Sequence, residues 1–243
     1  MIEINRECIL QASAKLKARK GMIDFDTLGR TLSYSPYMPR IKREFFIRTE
    51  LRNMPKVIHT YSIANSSQHT PLLYACAKEN PNKEPHAYML DLSAQYAQNQ
   101  DEECMSHLEP ISLLRRHSTL PIIHADIFLD VYQVLESALF GADMLFMPIA
   151  PLDGKDFKQL LDFARRLELD VFVFIRDKDE LKRAIFNGAD MLFILQENFS
   201  ELLSLVPNTQ VIATNASDEY GVDVWVRDES DKVNKVKLNL KNL

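Results

Sequence analysis

The hexapeptide Gly-Ala-Asp-Met-Leu-Phe occurs twice in the chain, at residues 141–146 and again at residues 188–193. Each copy follows an amphipathic stretch that opens with an aspartate eleven residues before the glycine, Asp130 and Asp177. A glutamine or glutamate comes three residues after each aspartate, which is the pattern of a helix N-cap with its capping-box partner. The glycine is typical of a helix C-terminus, and the apolar residues after it are typical of a buried strand. The repeat therefore predicts two copies of a helix-to-strand unit.

Further strand and helix patterns extend this unit along the chain. The clearest helical patterns are residues 156–167 and 178–187. Residues 171–175, Val-Phe-Val-Phe-Ile, are apolar on both faces, as expected for a parallel strand covered by helices, and they exclude an α-solenoid. The eight predicted strands are residues 57–61, 87–90, 121–125, 144–147, 171–175, 191–195, 210–213 and 222–226. A chain of 243 residues with this pattern predicts an α/β fold, a (β/α)8 TIM barrel, with a doubly wound open sheet as the alternative.

The two ends of the chain differ from a regular barrel. Helical patterns at residues 4–20 and 42–52 predict an N-terminal helical extension, residues 1–54, ahead of a barrel domain, residues 55–243. Only eight residues separate positions 213 and 222, whereas a parallel crossover needs about a dozen or more. We therefore expect the seventh helix to be missing or reduced, and residues 231–243 show no strong helical pattern.

Composition excludes several classes of function. The net charge is −5, and the lysines and arginines are scattered, so we expect neither a nucleic acid nor a membrane as partner. Three cysteines without a C-x-x-C pair, and a first segment that carries charges where a signal peptide is apolar, predict a cytoplasmic protein. Six glycines are few for a phosphate-gripping loop, and we expect no cofactor.

Residues 120–142, LPIIHADIFLDVYQVLESALFGA, resemble the third strand and following helix of the indole-3-glycerol-phosphate synthase family. The family pattern there is L-P-V-L-R-K-D-F, followed by D-P-Y-Q and an aromatic-Gly-Ala-Asp. Residues 169–188 are similar to the family's fifth strand and helix, and residues 56–67 align less closely with its first strand. The resemblance implies a tryptophan-biosynthetic barrel that closes an indole ring on a carboxyphenylamino-deoxyribulose phosphate, with loss of carbon dioxide and water.

The same resemblance also implies where the family's catalytic groups would lie. The glutamate and lysine of the first strand fall on Thr60 and Ser62, and the lysine of the third strand falls on Ala125. The later positions, on the fifth, sixth and seventh strands, fall on Phe174, Leu195 and Thr214. None of these side chains titrates near neutral pH, as a general acid or base must. We therefore predict a divergent member with no catalytic residues, which has lost the carboxy-lyase activity and acts by binding a protein partner or a second copy of itself.

Two alternatives to this prediction remain open, an active synthase and an enzyme with new chemistry in the same barrel mouth. A small-molecule ligand in the mouth would meet polar side chains that follow the strand ends. These candidate binding residues are Ser62, Asn65, Arg176, Gln196 and Asn215. The other interpretation is that they only solvate the rim of a vestigial site.

The motif His124-x-Asp126 has the spacing of part of a two-histidine, one-carboxylate metal site. Strand alternation, however, places both side chains on the face opposite Ala125, away from the barrel mouth. No second histidine-rich motif accompanies them. We therefore predict a hydrogen-bonded structural pair and no metal.

Overall fold

Eight parallel strands form a closed barrel in the computed structural model, which describes residues 2, 4–48, 50, 54–79, 84–97, 106–216 and 221–241. Each strand pairs with the next in the chain, and the last pairs with the first, so the predicted TIM-barrel topology is confirmed. The strands are β1 (Lys56–Ser62), β2 (Ala87–Asp91), β3 (Ile122–Ala125), β4 (Met144–Pro148), β5 (Asp170–Ile175), β6 (Met191–Ile194), β7 (Val211–Thr214) and β8 (Val224–Asp228).

Helices surround the strands and precede the barrel. Two of them come before β1, namely α1 (Arg6–Met22) and α2 (Phe25–Leu32). The others follow strands: α3 (His69–Ala77), α4 (Glu109–His117), α5 (Val131–Phe140), α6 (Gly154–Arg166), α7 (Lys178–Phe186), α8 (Gln196–Leu203) and α9 (Ser230–Lys241). None of the helices among these described residues has the length and apolar character needed to cross a membrane.

The two copies of the hexapeptide lie where the sequence pattern placed them, each between a helix and a strand. Asp130 caps α5 and Asp177 caps α7, because each carboxylate accepts backbone N–H groups of the first helical turn. Gly141 and Gly188 follow these helices with φ values of 93° and 86°, in the left-handed region that favours glycine. Each remaining apolar run then enters a strand, β4 or β6.

The connection between β7 and β8 is short. Its described residues, 215–216 and 221–223, contain no helix. Ile212 on the outer face of β7 is nevertheless buried, because Leu202 and Val206 from the α8 side and Val222 pack in the same core cluster. The apolar strand surface that a missing helix would have exposed is therefore covered by neighbouring segments.

Two predicted features of local structure are wrong. The predicted helix at residues 42–52 is a single 3₁₀ turn, Arg43–Phe45, and the residues beyond 48 lie largely outside the described part. The tail forms α9 although its pattern is weak. Among the residues of this helix whose side chains are described, only Val233 belongs to a core cluster. Lys232 forms an ion pair with Glu79 at 2.9 Å, so tertiary contacts rather than a broad apolar stripe support the helix.

The segment before β1 covers both ends of the barrel. At the carboxyl ends of the strands, α1 lies against residues 93–96, which follow β2, and Lys15 Nζ donates to the Gln95 carbonyl at 3.3 Å. At the amino ends, Phe46 is fully buried and its ring packs edge-on against Phe172 at 5.4 Å. Arg40 also binds Asp143 there, at the start of β4. The barrel is therefore closed at its base, and α1 lies over its mouth.

Candidate functional site at the barrel mouth

The interior of the barrel is defined by alternate residues of each strand, since successive side chains point to opposite faces. These inward residues form one buried apolar cluster, so the barrel is packed rather than hollow. At the carboxyl ends, where barrel enzymes hold their active sites, the inward strand positions are Thr60, Ser62, Met89, Asp91, Ala125, Phe146, Pro148, Phe174, Phe193, Ala213, Val226 and Asp228. None of these positions in the eight described strands is a lysine, an arginine or a glutamate.

Three aromatic rings fill the interior just below the mouth. Phe146 and Phe174 stack at 6.2 Å, and Phe193 meets them edge-on at 5.2 Å and 5.6 Å. All three side chains are buried. Rings at these separations and angles attract one another beyond the burial of their area. The floor of the mouth is therefore a dry aromatic layer.

The N-terminal segment adds apolar side chains to the core of the barrel. Ile2, Cys8 and Ala12 are buried and belong to the same core cluster as the inward strand residues. Leu195, just after β6, is half-buried against that cluster.

Two carboxylates stand at inward positions near the mouth. Asp91 is buried at the end of β2, and burial raises its pKa although the Ser93 N–H and hydroxyl donate to it at 3.1 Å and 2.6 Å. Asp228 is exposed at the end of β8 and accepts from the Ser230 hydroxyl at 2.6 Å. The two acids are candidate proton donors or acceptors, but the described strands place no inward lysine beside them.

Comparison with known proteins agrees with the barrel and with the sequence resemblance. The family model described as indole-3-glycerol phosphate synthase matches residues 49–224. The chain belongs to the indole-3-glycerol phosphate synthase family. Proteins named indole-3-glycerol phosphate synthase from Campylobacter jejuni (strain 81-176) and Campylobacter hominis are 31% and 30% identical to it. The first alignment covers 84% of this chain and 81% of the relative, and the second covers 86% and 83%.

A solved structure shares the fold at low identity. A mutant tryptophan synthase alpha-subunit from Pyrococcus furiosus superimposes with a TM-score of 0.56 and 13% sequence identity. The match covers 76% of this chain and 96% of that chain. At this identity the likeness shows the fold alone, and it agrees with the closed eight-stranded sheet.

The positions that the indole-3-glycerol phosphate synthase resemblance assigned to catalysis lie mostly where it implied. Thr60, Ala125 and Phe174 are buried inward residues, and Ser62 is half-buried at the end of β1. The Thr60 hydroxyl oxygen is buried without a hydrogen-bond partner in the described part of the chain. Thr214 is different, because it shares the outward face of β7 with Ile212 and so points away from the mouth. The adjacent Ala213 faces inward in its place.

The predicted polar mouth is only partly assembled. Asn215 and Gln196 do come together, since the Asn215 side-chain oxygen accepts the Gln196 backbone N–H at 2.9 Å. Arg176 is exposed and bound to Glu180, with Nη2 2.6 Å from Oε1. Its guanidinium is therefore held at the start of α7.

The other two candidate binding residues lie in the turn that follows β1. The backbone N–H of Ser62 donates to the Ser230 hydroxyl at 2.9 Å. Asn65 caps the short turn before α3, in a capping box with Gln68. Both residues therefore have a structural part in the loop, whether or not a ligand reaches them.

His124 and Asp126 lie outside the mouth, as strand alternation predicted. Both are buried between β3 and α5. The predicted hydrogen bond between them is absent, because His124 Nε2 is 3.7 Å from Asp126 Oδ2, beyond the usual range. Asp126 instead lies 3.0 Å from Nε2 of His107, a buried residue just before α4 that the sequence analysis did not single out. No periodic pattern links His107 to this strand, so only the fold brings them together.

Proposed function

We propose that this protein is a member of the indole-3-glycerol phosphate synthase family that has lost the ring-closing carboxy-lyase activity and acts by binding. The observation that carries the proposal is the packed mouth. Phe146, Phe174 and Phe193 form its floor, and Ile2 belongs to the same core cluster. An apolar floor offers no charged group to the carboxylate or the phosphate of the parent substrate.

The chemistry of the parent reaction supports the same conclusion. Ring closure followed by loss of carbon dioxide and water needs a general acid, a base and cations for the carboxylate and the phosphate. The inward positions at Thr60, Ala125 and Phe174 supply none of these groups. Asp91, whose pKa is raised by burial, and Asp228 are the inward groups of the described strands that could move a proton. Two carboxylates do not supply the side-chain cations that the substrate's carboxylate and phosphate need, and the inward positions of the described strands hold no lysine or arginine.

A direct assay tests the loss of activity. The purified protein is incubated with the carboxyphenylamino-deoxyribulose phosphate, and indole formation is followed by fluorescence. The Campylobacter jejuni relative named as the synthase serves as the active control. We expect indole formation at the rate of buffer alone. Turnover by this protein that disappears in Asp91→Asn, with the fold of the variant verified by circular dichroism, would overturn the proposal in favour of an active synthase.

The binding function is tested by the state of association. Phe186 at the end of α7 is 91% exposed and Leu205 is 49% exposed, so apolar surface lies on the side of α7 and α8. Exposed apolar surface commonly marks an interaction site. Light scattering across a concentration series is expected to show a second copy or a co-purifying protein bound. A strictly monomeric protein that also copurifies with nothing would contradict the binding part of the proposal.

A further inference from the structure

Three buried side chains from two segments of the chain direct metal-ligating atoms at one point. They are His107, His124 and Asp126, and one ligand atom from each lies within 4.8 Å of the other two. His124 lies in β3, Asp126 directly follows it, and His107 precedes α4. Because the outward face of β3 holds His124 and Asp126, the cluster is separate from the barrel mouth.

The hydrogen bonds around His124 fix its tautomer. Its Nδ1 is 2.8 Å from the Ser137 hydroxyl oxygen, and that hydroxyl donates its own proton to the Gln133 carbonyl at 2.7 Å. The Nδ1 atom must therefore carry the proton and donate to Ser137. In the neutral ring this leaves a lone pair on Nε2, which faces Asp126.

His107 has the same arrangement. Its Nδ1 is 2.7 Å from Gln95 Oε1, while Gln95 Nε2 donates to the His107 carbonyl at 3.2 Å. The amide is thus oriented with its oxygen toward the ring, so Nδ1 carries the proton and Nε2 presents its lone pair to Asp126. Imidazoles that bind metals are commonly oriented in this way, with the other ring nitrogen donating to a fixed acceptor.

Three hydrogen-bond acceptors therefore lie close together, namely Nε2 of each histidine and Oδ2 of Asp126. The Tyr96 hydroxyl is the proton donor that faces them. The Tyr96 hydroxyl lies 3.0 Å from Asp126 Oδ2 and 3.3 Å from His107 Nε2, so it can satisfy only one of them. His124 Nε2 is buried and has no hydrogen-bond partner among the described residues. Buried polar atoms are seldom left in this state, and those that are call for an explanation. A bound cation would satisfy all of these acceptors together.

We propose that His107, His124 and Asp126 bind a divalent first-row transition ion, best matched by Zn²⁺, with the Tyr96 hydroxyl oxygen in the fourth position. Zinc bonds of about 2.0–2.1 Å in a tetrahedron place ligand atoms about 3.3–3.4 Å apart. Four of the six separations among these atoms are 3.0 Å, 3.0 Å, 3.3 Å and 3.7 Å, and the ligand atoms of His107 and His124 lie within 4.8 Å of each other. Imidazole nitrogen with carboxylate and hydroxyl oxygen is a donor set that suits this ion.

The surroundings suit a closed, structural metal site. Arg19 is the nearby buried cation, and it is neutralised by Glu136, whose two carboxylate oxygens lie 2.9 Å and 3.2 Å from its Nε. A cavity of about 120 Å³ is lined in part by His107, Arg19 and Glu136, on one side of the cluster. The ion would tie the segment that carries Tyr96 and His107 to β3, beneath α1.

Cobalt titration tests the proposal without reference to any activity. The protein is treated with a chelator, dialysed and titrated with Co²⁺, whose visible absorption is intense in tetrahedral sites. We expect one equivalent to bind with a tetrahedral spectrum, Zn²⁺ to displace it, and Zn²⁺ to raise the melting temperature. His107→Gln is expected to weaken binding at least about tenfold, since loss of a ligand costs more than loss of an outer partner. His117→Gln, at an exposed histidine of α4, should bind as the wild type does.

The titration of the wild-type protein tests the proposed metal site even if the ligand variants fail to fold. An octahedral spectrum, binding far below one equivalent, or equal binding by His107→Gln and His117→Gln would overturn the proposal. Tyr96→Phe keeps the ring and removes only the fourth ligand. It should retain the ion with weaker affinity and an altered spectrum, and an unchanged spectrum would exclude Tyr96 from the site.

Discussion

Asp143 and Asp190 occupy the same place in the two copies of the hexapeptide but have different surroundings, so replacing each by alanine gives a matched pair. The Asp143 side chain is fully buried beneath the barrel, where it forms ion pairs with Arg40 and Arg115. It also accepts the backbone N–H groups of Arg40 and Ile122, both at 2.7 Å. The Asp190 side chain is 49% exposed and forms an ion pair with Arg165 at 3.2 Å.

The expected magnitudes follow from burial. Removing one member of a buried ion pair costs about 3–5 kcal/mol, because the partner charges and N–H groups are left without an acceptor. An exposed pair contributes about 1 kcal/mol or less. For a chain of this size each kcal/mol lowers the melting temperature by about 2–4 °C. Asp143→Ala should therefore melt roughly 10 °C lower than the wild type, and Asp190→Ala no more than about 4 °C lower.

Thermal unfolding followed by circular dichroism measures both changes under one set of conditions. Asp143→Asn is a useful third variant, since it keeps the shape of the side chain and removes its charge. We expect it to be less stable than the wild type and more stable than Asp143→Ala. Equal losses for Asp143→Ala and Asp190→Ala would refute the reasoning, because they would mean that the shared sequence, not the burial, sets the cost.

Two further predictions concern Glu79 and the paired glycines. Bonds from His59, Lys232 and a tyrosine hydroxyl lower the pKa of Glu79 against the opposing effect of burial. Its contribution to stability is therefore full above the pKa of the unfolded chain, about 4.3, and is lost as the pH falls through the lower folded value. Urea unfolding from pH 7 to pH 3 should show the stability gap between wild type and Glu79→Gln closing on acidification, and a gap that widens would contradict this. Gly141→Ala should cost more than Gly188→Ala in the same urea assay, since a Cβ at 141 would lie 3.0 Å from neighbouring side chains and one at 188 would lie 3.6 Å away. Equal losses of stability in the two variants would show that the positive φ, and not the contact of the added Cβ, sets the cost.

Much of the barrel could be predicted because its strands and helices carry strong local patterns. The predicted strand at residues 222–226 begins two residues before β8 does, since Val222 is apolar and buried but packs in the outer layer of the barrel. The helix α2 was missed, and only Leu28 of it is buried. The periodicity of α9 is weak because an ion pair with Glu79 helps to hold this helix, so its sequence pattern gave little signal.

The candidate sites were less predictable than the fold. The neutral residues at the mouth follow from the sequence resemblance, but their aromatic packing against one another and the place of Ile2 in the same core cluster do not. The proposed metal-ligand cluster is the clearest case of a site that the sequence could not predict. His107 is nineteen residues from Asp126 along the chain, and no spacing rule connects them.

The sequence by itself determined the alternation of helices and strands and the caps that begin α5 and α7. These properties depend on residues close together in the chain or on the identity of one residue. Only the tertiary structure decided that Asp143 is buried while Asp190 is exposed, and that two histidines face one carboxylate. The burial of a side chain, and its approach to other side chains, depend on which distant segments pack around it. The two copies of the hexapeptide have the same sequence, so the sequence of the repeat cannot specify those different neighbours.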